Sequence, residues 1–182
     1  MTHKQIKNII ISAMLLGLGM VLPLLTGQIK EIGDSLLPMH LPVLLCGIIC
    51  GWQYGATIGL VMPFLRSVTF GMPPIYPNAV WMAAELCAYG AIIGLAYVCI
   101  HKFFRMKKPF DICAALVTAM IGGRIVWGVV KAILLGIGDK PFTMKMFVVG
   151  GFVDALPGII IQLVLVPAIV TLYERLERKG VI

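Results

Sequence analysis

Charge is scarce in this chain: Asp, Glu, Lys and Arg make up 13% of its 182 residues, against 60% hydrophobic residues. Soluble domains are about half apolar and about a quarter charged, so water is not the only solvent of this protein. Several motifs of soluble chemistry are missing as well. No G-x-x-x-x-G-K-[ST] phosphate loop occurs, which excludes ATP hydrolysis of that kind. Neither H-E-x-x-H nor G-x-S-x-G is present, and the 3 histidines are too scattered for a metal triad. Cys46 and Cys50 share a helix face, yet no histidine or carboxylate stands at ligand spacing, so no metal site is expected. The five cysteines, Cys46, Cys50, Cys87, Cys99 and Cys113, fall in or beside apolar stretches and read as reduced, buried small hydrophobes. No A-x-A cleavage site follows the first apolar run, Ile9 to Leu25, which is kept as a mature helix rather than a leader. No repeat relates the two halves, so the inverted architecture of many secondary transporters is not visible.

What is present is apolar sequence in lengths that suit a bilayer, with a mean hydropathy of +1.00. A spanning helix needs about 20 apolar residues, so about six use most of the chain and leave one membrane domain, 1–182, without a separate catalytic module. Helix 1 is expected from Ile6 to Leu25, followed by the polar segment Thr26 to Ser35. Leu36 to Phe70 reads as two short spans turning at Gly51 to Gly55, the alternative being one long broken helix. Gly71 to Asn78, with Pro73, Pro74 and Pro77, predicts a stiff loop. Helix 4 follows over Ala79 to Ile100, helix 5 over Ile112 to Leu135, and helix 6 over Met146 to Leu172, kinked at Pro157 and Pro167.

The formal charge of +7 does not point to nucleic acid, because the basic residues gather at helix ends instead of on one water-exposed face. With six spans, Lys4, Lys7, Lys102, Arg105, Lys107, Lys108, Arg175, Arg178 and Lys179 lie on one side, and only Lys30, Arg66, Lys140 and Lys145 on the other. The positive-inside rule then puts both termini in the cytoplasm. The expected fold is an all-α integral membrane bundle of six transmembrane helices.

Ionisable side chains inside a membrane are costly and face the bundle interior or a cavity, which makes each a functional candidate. Glu85, Arg124, Lys131 and Asp154 qualify, and all fall toward the outer half of their helices. Residues three, four and seven apart share a helix face. Helix 4 thereby presents Asn78, Trp81, Glu85 and Tyr89, helix 5 presents Arg124, Trp127 and Lys131, and helix 6 presents Asp154, Gly158 and Gln162. Arg66 reaches the same region from helix 3. One reading is an outward-opening site where aromatic rings stack on a small organic molecule and charges fix its polar parts. The other is interhelical glue, Glu85 with Arg124 and Asp154 with Lys131; the two are compatible. Arg66 is then left uncompensated, which fits a ligand carboxylate or phosphate or, equally, a snorkelling arginine. His40, near the outer start of helix 2, reads as a solvated or capping side chain, with a pocket donor as the alternative, and Trp52 and Tyr54 read as interfacial belt aromatics. On helix 1, Ala13 and Gly17 make a small-x-x-x-small step that lets another helix approach, within the chain or from a partner.

These pieces resemble a known family. Leu41-Pro42-Val43-Leu44-Leu45-Cys46-Gly47, Tyr54-Gly55-Ala56, Gly59-Leu60, Gly71-Met72-Pro73-Pro74, Glu85 with Tyr89-Gly90, and Pro157-Gly158-Ile159 with Gln162 and Pro167 are similar to the substrate-binding (S) components of energy-coupling-factor (ECF) transporters, nearest the pantothenate-type branch. The resemblance implies six helices with cytoplasmic ends in a prokaryotic plasma membrane and a vitamin-like micronutrient bound at the outer face. It implies that Thr26 to Ser35 and Gly71 to Asn78 cover the substrate. It also implies docking through helix 1 onto a membrane coupling subunit served by two cytoplasmic ATPases, and toppling in the bilayer to release cargo. The family's helix 1 step is alanine-x-x-x-alanine, whereas this chain has Ala13 and Gly17. No cofactor is implied. Two competing readings are a membrane enzyme acting on lipid or isoprenoid, with Glu85 and Asp154 as acid and base, and a structural membrane subunit.

Overall fold

The computed structural model describes residues 2–25, 36–103, 109–137 and 142–180. The expected outer loop from Thr26 to Ser35, the basic residues Arg105, Lys107 and Lys108, and Asp139 to Pro141 lie outside the described residues. No strand occurs among the described residues, and the order is helical throughout: α1 (His3–Leu25), α2 (His40–Ile49), α3 (Trp52–Phe70), a π turn (Ile75–Ala79), α4 (Val80–Phe103), α5 (Phe110–Ile137), α6 (Met144–Val148), a second π turn (Val149–Val153) and α7 (Leu156–Arg178).

Four stretches, His3–Leu24, Ile75–Phe103, Phe110–Gly136 and Leu156–Arg178, are long and apolar enough to cross a membrane. Two of the six expected spans fall short of that description. α2 has 10 residues, which at 1.5 Å per residue is about 15 Å, half the roughly 30 Å of hydrocarbon. α3 has the length, at 19 residues, but Trp52, Gln53, Tyr54, Arg66 and Ser67 dilute its apolar character.

The segment from Leu36 to Phe70 is a broken pair rather than one long helix. Gly51 sits at φ +106° between α2 and α3, a conformation that costs glycine little and other residues much. Gly47 and Gly55 then meet backbone to backbone across the turn: a Cβ on Gly55 would stand 2.7 Å from Gly47 Cα. Gly71, at φ +70°, ends α3 in the left-handed region. The prolines after it keep the chain out of an α-helix until Val80, as the composition predicts, although part of that segment turns as the π-helical Ile75–Ala79, broken at Tyr76.

α2 is the centre of the bundle. Eight of its residues are buried, enclosed by α1, α3, α4 and α7, with Val43, Leu44, Met62, Leu86, Ile93, Ile112, Leu116 and Val166 forming the core. The closest approach is between α3 and α4, where a Cβ on Gly90 would stand 2.2 Å from the Gly55 carbonyl carbon. In lipid, helices gain stability from such close backbone packing more than from expelling water.

The last expected helix is corrected in position and in cause. It is interrupted over residues 149–155 by the π turn and the residues after it, not kinked at Pro157. Pro157 instead lies in the first turn of α7, where its missing N–H removes no helical bond. α7 runs on to Arg178, so most of the charged tail is helix. Burial of the cysteines also divides: Cys46 and Cys50 are buried, while Cys99 is exposed.

The two termini lie at the same end of the bundle. Lys7 at the start of α1 pairs with Glu177 at the end of α7, N···O 2.8 Å. Asn8 donates to the Cys50 carbonyl at the α2–α3 turn, and Tyr97 donates to Glu174.

Candidate functional site

Three helices bring polar groups together at the opposite end. Spacing of four puts Trp81, Glu85 and Tyr89 on one face of α4, and spacing of three and four puts Arg124, Trp127 and Lys131 on one face of α5. α2 contributes its first residue, His40. Glu85 is 3% exposed and Arg124 and His40 are each 4% exposed.

The centre of the cluster is a buried ion pair. Arg124 Nη1 donates to Glu85 Oε1 at 2.8 Å. His40 Nε2 is 3.4 Å from the same oxygen, but not aligned to donate a hydrogen bond. Both ring nitrogens of His40, and Nε and Nη2 of Arg124, are buried without a hydrogen-bond partner among the described residues. Packing holds the imidazole: the Tyr89 ring meets it edge to face, centroids 4.8 Å apart and planes at 84°. Tyr89 donates its hydroxyl to the Met120 carbonyl at 3.4 Å, and its ring lies against Gly123, where any side chain would strike it. Burying polar groups unpaired costs about 1–3 kcal/mol each, so this arrangement needs compensation elsewhere.

Beside the ion pair, the Lys131 ammonium lies among aromatic faces, 4.5 Å from the Trp127 centroid, 5.2 Å from Trp81 and 5.9 Å from Phe142. The Arg124 guanidinium shares the Trp127 ring at 5.8 Å. Cation–π contacts contribute about 0.5–2 kcal/mol each, more where water is excluded. The second π turn closes this side. A Cβ on Gly151 would stand 3.5 Å from Trp127 and 3.9 Å from Arg124 Cδ, and one on Gly150 3.5 Å from Trp127.

Six of the expected site residues are therefore brought together: Trp81, Glu85, Tyr89, Arg124, Trp127 and Lys131. Gln162 is buried nearby and donates to the Leu37 carbonyl, three residues ahead of His40, at 3.4 Å. Asn78 is half-buried in the π turn that leads into α4. Arg66 makes no ion pair among the described residues, with this cluster or elsewhere. Its Nη1 donates to the Met20 carbonyl at 2.8 Å and its guanidinium lies 5.4 Å from the Phe70 ring, so it fastens α3 to α1. Asp154 is exposed in the turn before α7 and makes no ion pair among the described residues, so the pairing with Lys131 is not formed. Asp154 stands in the short turn between the second π turn and α7, outside the regular helix that carries Gly158 and Gln162. Ala13 and Gly17 are exposed on α1, and among the described residues nothing beyond the helix's own turn lies within 4 Å of a Cβ placed on Gly17.

Sequence reasoning passed over His40 as a solvated cap and missed Phe142 and Gly150-Gly151. The adjacent glycines inside an apolar run were the available signal for a helix break. Among the described residues no group of three or more side chains is arranged to hold a metal ion.

A family model described as ECF transporter, substrate-specific component, matches residues 7–170 of the chain. No curated protein and no solved structure matches it.

Proposed function

The chain belongs to the ECF transporter substrate-specific component family, and from that premise we propose that it captures a vitamin-sized micronutrient at the Glu85–Arg124–Lys131 cluster and delivers it inward. Membership makes it a multi-pass membrane protein and the substrate-binding subunit of an importer, a transport subunit and not an enzyme. The finer reading is that the whole chain is one domain, with six crossings and both termini in the cytoplasm of a prokaryotic cell. The basic residues around Lys7 and Arg178 support it through the positive-inside rule. The cargo belongs with the pantothenate-type branch in this reading, and the bundle end opposite the termini faces outward.

The observation that carries the proposal is the buried Arg124–Glu85 pair beside the aromatic-lined Lys131. Charge, unpaired donors and stacking surfaces converge there on three helices, which is the composition of a small-molecule site. Trp81, Tyr89 and Trp127 supply the apolar walls, and Asn78, Arg124, Lys131 and Gln162 the polar contacts. Asp154 and Arg66 keep peripheral roles, at the mouth of the site and at the α1–α3 contact.

Partner docking is proposed on α1. Its outward face carries Ile6, Ile10, Met14, Leu18 and Val21, all exposed, around the small step Ala13 and Gly17. It is the least buried of the four spanning stretches. A membrane coupling subunit carrying two cytoplasmic ATPases is the expected partner there.

The test is mass spectrometry of what leaves the purified, folded protein on denaturation, alongside thermal stabilisation by vitamins and nucleobase precursors. A released or stabilising vitamin-sized compound is expected. Folded protein that releases none and is stabilised by none refutes the proposal.

A further inference from the structure

The buried donors that the protein leaves unpaired say what kind of group the cargo carries. Arg124 spends one nitrogen, Nη1, on Glu85. Its Nε and Nη2 form the adjacent pair of donors on one edge of a planar fork, and both are buried without a partner. Arginine has donors only, so nothing in this edge can bind a cation or another donor. His40, whose Nε2 lies 3.4 Å from the same Glu85 oxygen, is held by Tyr89 and has ring nitrogens without a hydrogen-bond partner among the described residues. Two parallel N–H groups of one guanidinium match the two oxygens of a carboxylate or phosphate. Gly151 lets the second π turn lie against the arginine: a Cβ there would stand 3.9 Å from Arg124 Cδ and 3.5 Å from Trp127.

We infer that the cargo is an oxyanion-bearing micronutrient whose carboxylate or phosphate is gripped by Nε and Nη2 of Arg124 and a His40 ring N–H, with its remaining body against Trp127. This rests on the micronutrient-capture reading above and adds the charge of the ligand, which neither family membership nor the aromatic walls decide. Glu85 has a positioning role: by holding Nη1 it turns the other edge of the guanidinium toward the cargo.

The test uses the full chain purified in detergent and matched ligands that differ in one group: nicotinate and nicotinamide, biotin and biotinamide, pantothenate and pantothenol, pyridoxal phosphate and pyridoxal, with thiamine as a cation. Within any pair that binds, the anion is expected to bind about 10- to 100-fold more tightly than its neutral counterpart, and the pair showing this separates carboxylate from phosphate. Arg124→Lys keeps the charge but loses the fork, and is expected to erase that ratio. His40→Leu removes two ring nitrogens that lack a hydrogen-bond partner among the described residues, together with the 3.4 Å contact to Glu85 and the ring contact to Tyr89, and is expected to lower the ratio several-fold in protein that still folds. Neutral or cationic members binding as well as the anions overturns the oxyanion and leaves the capture reading standing. So does an unchanged ratio in Arg124→Lys or, should that variant not fold, in His40→Leu. Binding of no member by folded protein overturns the capture reading and the oxyanion with it.

Discussion

Replacing Arg124 by methionine isolates the energetic role of the buried pair. The substitution keeps most of the side-chain volume and strands the Glu85 carboxylate, 3% exposed, with only His40 Nε2 at 3.4 Å as a polar neighbour. Removing one partner of a buried ion pair costs about 3–5 kcal/mol, because the remaining charge has lost its compensation. For a protein of this length each kcal/mol moves the thermal midpoint by about 2–4 °C, so a fall of about 6–20 °C is expected. Replacing both partners, Glu85→Leu with Arg124→Met, removes the stranded charge and is expected to recover most of that loss, since apolar substitutes for a whole buried pair are often neutral or stabilising. The assay is tryptophan fluorescence of ligand-free protein in detergent, heated at one fixed rate because unfolding of membrane proteins is rarely reversible. Parent and variants are compared in one buffer at one pH. A single variant that shifts by less than about 2 °C, or a double variant no more stable than the single one, refutes the claim that the pair is tightly buried.

Three further outcomes follow from particular contacts. Gly90→Val puts side-chain atoms where Gly55 backbone already lies 2.2 Å from a Cβ; overpacking of this kind costs about 1–3 kcal/mol or more, and size-exclusion profiles should show loss of monodisperse protein, whereas Gly136→Ala, with nothing within 4 Å, should behave as the parent. Gly17→Leu should leave folding and ligand binding unchanged, because no protein atom occupies that face, yet abolish co-purification with a membrane coupling subunit; retained co-purification would move the docking surface off α1. Trp127→Ala removes the ring nearest Lys131 Nζ, at 4.5 Å, and should weaken ligand binding by about tenfold or more, read by calorimetry, as expected for loss of a largely desolvated cation–π contact.

Much of the bundle was legible because its physics is one-dimensional. Apolar length marks α1, α4, α5 and α7 directly, and prolines and glycines mark the breaks after Phe70 and at Gly51. The faces of α4 and α5 were legible because an unbroken helix preserves spacing, so Trp81, Glu85, Arg124 and Lys131 arrive where a period of 3.6 puts them. The same rule failed on the last helix. The expected helix from Met146 to Leu172 assumes continuity, and the π turn at Val149–Val153 with the two turn residues after it interrupts the helix, leaving Asp154 in an exposed turn ahead of Gly158 and Gln162. The contact made by Arg66 was not legible for a different reason: its acceptor is the Met20 carbonyl, and a backbone acceptor leaves no trace in side-chain patterning. His40 could not be assigned because its surroundings, Tyr89 and Glu85, are long-range neighbours brought in only when α2 packs at the centre.

The two π turns, at the starts of the α4 and α7 segments, belong to this argument about continuity. A regular helix turns every backbone group inward on itself and keeps neighbouring helices at side-chain distance. Extra-residue turns interrupt that ladder and recur at functional positions, where they let a backbone approach what a helix would hold away. Here the second one lays Gly150 and Gly151 against Trp127 and the stem of Arg124. Filling that gap should therefore be separable from unfolding the protein. A Cβ at Gly151 meets only ordinary contact distances, 3.5 Å and 3.9 Å, so Gly151→Ala should be nearly neutral for the thermal midpoint. Gly151→Leu should move the midpoint by only a few degrees while lowering ligand affinity more than tenfold, because its branches crowd Trp127 and the stem of Arg124, which a Cβ there would already touch at 3.5 Å and 3.9 Å. If the leucine variant binds ligand as tightly as the parent, the cargo does not lie between α5 and the second π turn, and Arg124 faces it from another side.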